Sequence, residues 1–196
     1  DMGAQVIRLE SCQRLESYRG DALYKNETEG EFWNRGANFY EQNRNKLGIT
    51  LNLNTQRGKD LFKELVSVSD VVAQNFPPRV MRNFGLDYPE LTKVKPDIIV
   101  LDSTAYGSTG PWQNYIGYGS SIQAVTGLTY LTGYEGGEPV QGGILYNDIL
   151  GALTATYAIL LAVAHRERTG EGQWIDLSQY QSGVVQLGEA FMDYTM

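Results

Sequence analysis

The sequence predicts an α/β domain with a largely parallel sheet and flanking helices, and three observations predict it. Short strand-like runs alternate along the chain with runs of helical period, the order expected of βαβ units. The segment "DIIVLDSTA" (97–105) is nearly continuous in apolar residues, as a strand covered on both faces of a parallel sheet would be. The segment 149–164 carries no charged residue and reads as a helix that is buried in a core, being short for a membrane span.

Taken in order, "QVIRLE" (5–10) alternates as a half-buried strand does. Residues 11–45 are polar, Asn-rich and aromatic without a clear period, so a loop is expected there, with a short helix near 31–40. "LGITLNL" (47–53) is a second alternating strand, and Asn54 or Thr55 can cap the helix after it, whose Leu61, Phe62, Leu65 and Val66 share one face. "DVVAQNF" (70–76) is a third strand, closed by Pro77-Pro78, and a short helix around 80–84 stops at Gly85. After the strand at 97–105, "YGSTGP" (106–111) is turn chemistry, and 120–126 reads as a helix. The Gly-rich stretch "GYEGGEPVQGG" (133–143) is a loop feeding a long helix that runs from Asp148 to about Arg168 and stops at Thr169-Gly170. "QWIDLSQ" (173–179) is the last strand, followed by a helix from about Gln181. A single domain over residues 1–196 is expected, and both ends read as cuts within a longer chain.

The chain has 196 residues, a net charge of −7 and 42% hydrophobic residues, a globular composition with enough apolar mass for a core. The acidic balance speaks against nucleic acid and anionic membranes as main partners, while leaving room for a local basic pocket. Cys12 is the only cysteine, so no intrachain disulfide and no cysteine-based metal site is expected, and the reading is of a cytoplasmic protein without a metal.

Two common site patterns are missing. "GYGSSI" (117–122) lacks the third glycine of a dinucleotide fingerprint, and no Gly-x-Ser-x-Gly elbow is present. His165, the only histidine, sits in "AHRER" near the end of the long helix, where a cation complements the helix dipole. That position speaks against a Ser–His hydrolase. Asp148 stands apart, at the head of the apolar helix. Helix N-termini stabilise negative charge, which would keep this carboxylate ionised as a nucleophile requires. Aspartate is equally a favoured cap, so both readings stay open on the residues alone. The preceding glycines would let a ligand approach closely.

Five segments in order, "DMGAQVIRLE", "NRNKLGITLNL", "SDVVAQNFPPRVMRNFGLDYPEL", "KPDIIVLDSTAYGSTGPW" and "YNDILGALTATYAILLAVAHRERTGEGQWIDLSQYQ", resemble the family III CoA-transferases, which include formyl-CoA and carnitine CoA-transferases and α-methylacyl-CoA racemase. The resemblance covers nearly the whole chain and is weakest at 11–36. It implies the Rossmann-like large domain of such an enzyme, with a further C-terminal half beyond it. It implies that Asp148 is the nucleophile, attacking an acyl-CoA thioester to give a mixed anhydride and then an aspartyl-CoA thioester, from which a carboxylic acid takes the CoA. Water must be kept out, because both intermediates hydrolyse. An oxyanion donor is needed, for which backbone N–H groups near Gly142 or Gly143 are candidates.

For coenzyme A the resemblance implies contacts from Leu51, Asn54, Asn75, Phe76, Arg79, Arg82 and Tyr118. Phe76 offers a face for adenine and the arginines offer charge for phosphate. A core Phe76 and a solvated helix face for the arginines are the plain alternatives. This chain departs from the family pattern at "NFPPR" and "RNFG", and Asn83 stands where an arginine is common. Ser11 follows Glu10 where some members have arginine, and Gly119 replaces a common acidic residue. Racemase members pair the aspartate with a histidine at the position of Tyr118, and a tyrosine is a poor second base for α-proton exchange. A transferase is therefore the main reading, with a racemase-like isomerase or an inactive, truncated CoA-binding module as alternatives. Family members form interlocked homodimers, and the resemblance implies one here.

Overall fold

A computed structural model describes residues 3–196. The chain divides into two compact units, Asp1–Glu64 and Leu65–Met196. Among the described residues every strand of a sheet pairs in parallel, as expected, but in two sheets rather than one.

In the first unit β1 (Val6–Glu10) pairs with β2 (Lys46–Thr50), Val6 opposite Lys46. Between them lie three 3-10 turns and α1 (Ala37–Gln42), none of which contains a buried residue. Polar contacts organise this connection. The Arg19 guanidinium grips both Glu10 oxygens at 2.8 and 2.6 Å, donates to the Trp33 carbonyl at 2.9 Å and lies 3.7 Å from the Phe39 ring centre. Arg8 adds single bonds, reaching Glu16 at 2.7 Å and Asn43 Oδ1 at 2.9 Å. Arginine suits this use because its planar fork satisfies a carboxylate with two bonds while its face stacks on an aromatic ring. The hydrogen bond from Arg19 holds the Glu10 carboxyl below its ordinary range. No hydrophobic period can announce such an arrangement, which explains why residues 11–45 read as loop.

Helix α2 (Gln56–Ser67) begins at the second of the two expected caps. Thr55 Oγ1 accepts the Gly58 N–H at 3.1 Å, and Phe62 and Val66 are buried. In the second unit β3 (Val71–Gln74), β4 (Ile99–Thr104) and β5 (Trp174–Ser178) form a sheet with β4 central. Ile98 to Leu101 are all buried, as the continuous apolar run predicted. Helix α3 (Arg79–Phe84) ends at Gly85, whose φ of 68° suits glycine. Two four-residue helices, α4 (Tyr88–Leu91) and α6 (Leu128–Leu131), were not foreseen, since one turn shows no period. Helix α5 (Gly119–Val125) precedes α6. The long helix α7 (Tyr146–Thr169) is followed, after β5, by α8 (Gln179–Val184), a 3-10 turn and α9 (Gly188–Thr195).

Helix α7 lies along the sheet. Ala155 packs with Leu101 and Leu177, flanked by Ile159 and Ile175. Near its C-terminal end Arg166 donates to Asp70 Oδ1 at 2.8 Å and to the Asp70 carbonyl at 3.1 Å, tying the helix to the start of β3. The expectation of a buried helix needs correction. Only a narrow stripe, Asn147, Gly151, Ala155 and Ala162, is buried, whereas Ile149, Leu153, Tyr157, Leu160 and Leu161 face outward. With 24 residues, and a mean hydropathy of 1.5 over an 18-residue stretch, α7 is long and apolar enough to cross a membrane by length and composition. Small residues fill the packed stripe because the backbone comes close to its neighbours there, so the bulky apolar side chains fall on the other faces.

The first unit's dependence on Arg19 is testable. Arg19→Lys keeps the charge but loses the fork and the stacking. It should speed amide hydrogen exchange across residues 17–42 by roughly tenfold or more, given the ~1.5–3 kcal/mol of a charged hydrogen bond, with β3–β5 unaffected. Unchanged exchange would remove Arg19 from this role.

Candidate active site

Asp148 is the third residue of α7, and it caps nothing. Leu145 occupies the cap position without a side-chain bond to the helix, and the Asp148 N–H itself bonds to the Leu145 carbonyl at 3.0 Å. The carboxylate is half-buried, and among the described residues no hydrogen bond or ion pair reaches it. The backbone of Gly119, first residue of α5, lies against it. A Cβ on Gly119 would stand 2.6 Å from Oδ2 and 2.9 Å from Oδ1. Real side chains do not approach so closely, so any residue but glycine at 119 would displace the Asp148 carboxylate.

Burial pushes the Asp148 pKa above the ordinary carboxylate value. Desolvation in the half-buried site is the cause. A poorly solvated carboxylate is more basic and a better nucleophile than one wrapped in hydrogen bonds.

The other predicted residues fall into separate places. Leu51 and Asn54 lie just past β2 in the first unit, where the Leu51 N–H bonds to the Glu10 carbonyl at 3.0 Å. Asn75, Phe76, Arg79 and Arg82 gather in the second unit beyond the C-terminal end of β3. Phe76 is 49% exposed, which disposes of the core reading. Arg79 and Arg82 are exposed on α3 and form no ion pair among the described residues. Tyr118 precedes Gly119 and projects outward; its backbone is held by Ser121 Oγ, which accepts its N–H at 3.0 Å. Gly142 and Gly143 lie exposed in the loop before α7, with open space around them. His165 Nε2 stands 3.8 Å from Glu171 at the far end of α7, in keeping with its structural reading.

Sequence reading missed two supports. Asp102 on β4 accepts Gln74 Nε2 at 2.7 Å and Trp174 Nε1 at 2.8 Å, joining all three strands. Because the carboxylate takes the amide N–H of Gln74, the amide oxygen is left to accept the Phe76 N–H. The second support is Asp176 on β5, whose two oxygens accept the Ser108 N–H at 2.9 and 3.0 Å and pin the turn after β4. Each is an acidic residue inside a strand without a basic partner, a pattern visible in the sequence but ambiguous there.

The sequence matches CoA-transferase family III over residues 1–196. The chain belongs to that family. It is 37% identical over 185 residues to the succinyl-CoA–L-malate CoA-transferase beta subunit of Chloroflexus aurantiacus, covering 93% of this chain and 44% of that protein. It is 34% identical over 194 residues to the succinyl-CoA:glutarate CoA-transferase of Mus musculus, covering 99% of this chain and 43% of that one. The crystal structure of a CAIB/BAIF family protein from Brucella suis superposes with a TM-score of 0.89 at 33% identity, over 100% of this chain and 51% of that chain. This family III chain thus spans about half the length of the relatives it matches, and their fold is its fold.

The raised pKa of Asp148 has a consequence for stability. Below the ordinary carboxylate pKa the side chain is neutral whether the chain is folded or unfolded, and it costs nothing. As pH rises through the folded-state pKa, charge must be held in a half-buried site and stability is lost. Asp148→Asn should therefore have a higher Tm than the wild type at pH 7, and the difference should vanish in acid. Equal melting at both pH values would contradict the burial argument.

Proposed function

We propose that this protein moves CoA from an acyl-CoA thioester to a carboxylic acid through a covalent intermediate on Asp148. The observation that carries the reading is the Asp148 carboxylate, half-buried, without a hydrogen bond among the described residues and seated against Gly119, in a chain of family III.

Its oxygen attacks the thioester carbonyl, the C–S bond breaks, and a mixed anhydride and CoA thiolate form. The thiolate then attacks the Asp148 acyl carbon, releasing the donor acid and leaving an aspartyl-CoA thioester. The acceptor carboxylate attacks that carbonyl and expels the thiolate, which takes the acceptor's acyl carbon and frees Asp148. Each step exchanges one acyl–heteroatom bond for another, so no oxidant or metal enters the balance. Relatives are named for succinyl-CoA with malate or glutarate, and for acetyl-CoA with oxalate. We take a dicarboxylic acid as the acceptor class on that support.

The exposed Phe76 and the unpaired Arg79 and Arg82, gathered at a strand's carboxyl end, suit adenine and phosphate of CoA. A cytoplasmic homodimer belongs to the same reading. The outward apolar face of α7 supports association, and the single free cysteine suits a reducing compartment. Sedimentation of the purified protein reads the dimer directly.

Incubation with succinyl-CoA followed by hydroxylamine should convert Asp148 to a hydroxamate, seen by peptide mass spectrometry. Asp148→Asn should lower transfer to glutarate by on the order of 10³-fold or more. Wild-type turnover in that variant would end the proposal, and solvent deuterium at the acyl α-carbon without transfer would favour the racemase-like alternative. Phe76→Ala should weaken CoA binding roughly tenfold while leaving the Tm unchanged, as befits an exposed ring.

A further inference from the structure

We infer that Asn147 is the positioning residue for the Asp148 carboxylate, seated in a slot of α8 that Gly183 opens. The inference rests on the role proposed for Asp148. Among the described residues nothing bonded to that carboxylate holds it in place, so its direction is set by the backbone that carries it. That backbone is the first turn of a helix whose cap residue, Leu145, supplies no side-chain bond. Uncapped first turns fray.

Asn147 replaces the missing cap by a tertiary anchor. It is completely buried, an unusual place for a carboxamide. Its Nδ2 donates to the Gln179 carbonyl at 3.2 Å, at the start of α8. The backbone of Gly183, one turn along α8, lies directly on the carboxamide: a Cβ there would stand 2.5 Å from Nδ2 and 2.8 Å from Oδ1, and 2.7 Å from Thr126 Cγ2. The contact is reciprocal. One turn along α7, a Cβ on Gly151 would stand 3.1 Å from Gln179 Cγ, so the Gln179 side chain lies over that glycine. Each helix thus places a carboxamide side chain over a glycine of the other.

Successive residues on a helix point about 100° apart, so pinning Asn147 toward α8 turns Asp148 toward the start of α5, where Gly119 receives it. Asn147 Oδ1 finds no hydrogen-bond partner. A buried acceptor left unpaired weakens the fold, and its presence beside the reactive residue is what a positioning role would tolerate. Helix α8 is itself anchored, since the Tyr180 N–H bonds to the Ala105 carbonyl at 2.9 Å, beyond the end of β4.

The test is made on the full chain. Carbon-13 NMR titration of the Asp148 carboxyl needs no turnover, and it is read in the wild type, Asn147→Ala, Gly183→Ala and the double variant. Both single variants should release the carboxylate into water and return its titration toward the ordinary range. Asp148 adduct formation from succinyl-CoA should slow by on the order of 10²-fold, with KM changed less than about twofold. Gly183→Ala should move the Asp148 titration less in the Asn147→Ala background than alone, because only the contact with Thr126 Cγ2 then opposes its methyl. Asn147→Ser, which keeps a donor with a shorter reach, takes the place of Asn147→Ala if that variant does not fold. Lower Tm with the Asp148 titration unmoved would reduce Asn147 to core packing and overturn the inference. A shifted titration in a protein that forms no adduct even as wild type would sustain the positioning and refute the aspartyl mechanism.

Discussion

Strand β4 takes a partner on each edge, and the burial this forces on residues 98–101 is the constraint on which the second unit depends. A strand with neighbours on both sides can satisfy its backbone only within the sheet, and its side chains must then be covered on both faces. Leu101 supplies the surface on which α7 lies through Ala155. Asp102, on the same strand, ties β3 and β5 together through Gln74 and Trp174. Beyond its end, Ala105 receives the first turn of α8 and Ser108 is held by Asp176. The strand therefore anchors α8, α8 anchors the start of α7, and α7 carries Asp148.

The two units are stabilised by different means. The sheet of the second unit is held by an apolar core that any βαβ pattern would announce. The connection in the first unit is held by Arg8 and Arg19, each joining a carboxylate and lying over Phe39. An arginine with both partners met can organise a segment too polar to bury itself, at the cost of tight geometric demands on every member.

At Asp148 the opposing influences are separable. A helix start favours charge and burial disfavours it, and burial raises the pKa of this carboxylate. Gly119 makes the room, since a side chain there would compete for the space that Asp148 occupies.

The sequence by itself determined the five strands, the parallel pairing, the long helix and its stop at Gly170, because each leaves a periodic or punctuating signal along the chain. Family membership was legible for the same reason, in five ordered segments. Only the tertiary structure decided that Asp148 lies inside the helix rather than capping it, that its pKa rises, and that Phe76 is open to solvent. It also set the close contacts of Asn147, Gly119 and Gly183. Those depend on how closely one backbone approaches a side chain from another element, and a linear pattern carries no record of that distance. The outward face of α7 escaped the sequence for a related reason: an apolar run records what a helix is made of, not which of its sides has a neighbour.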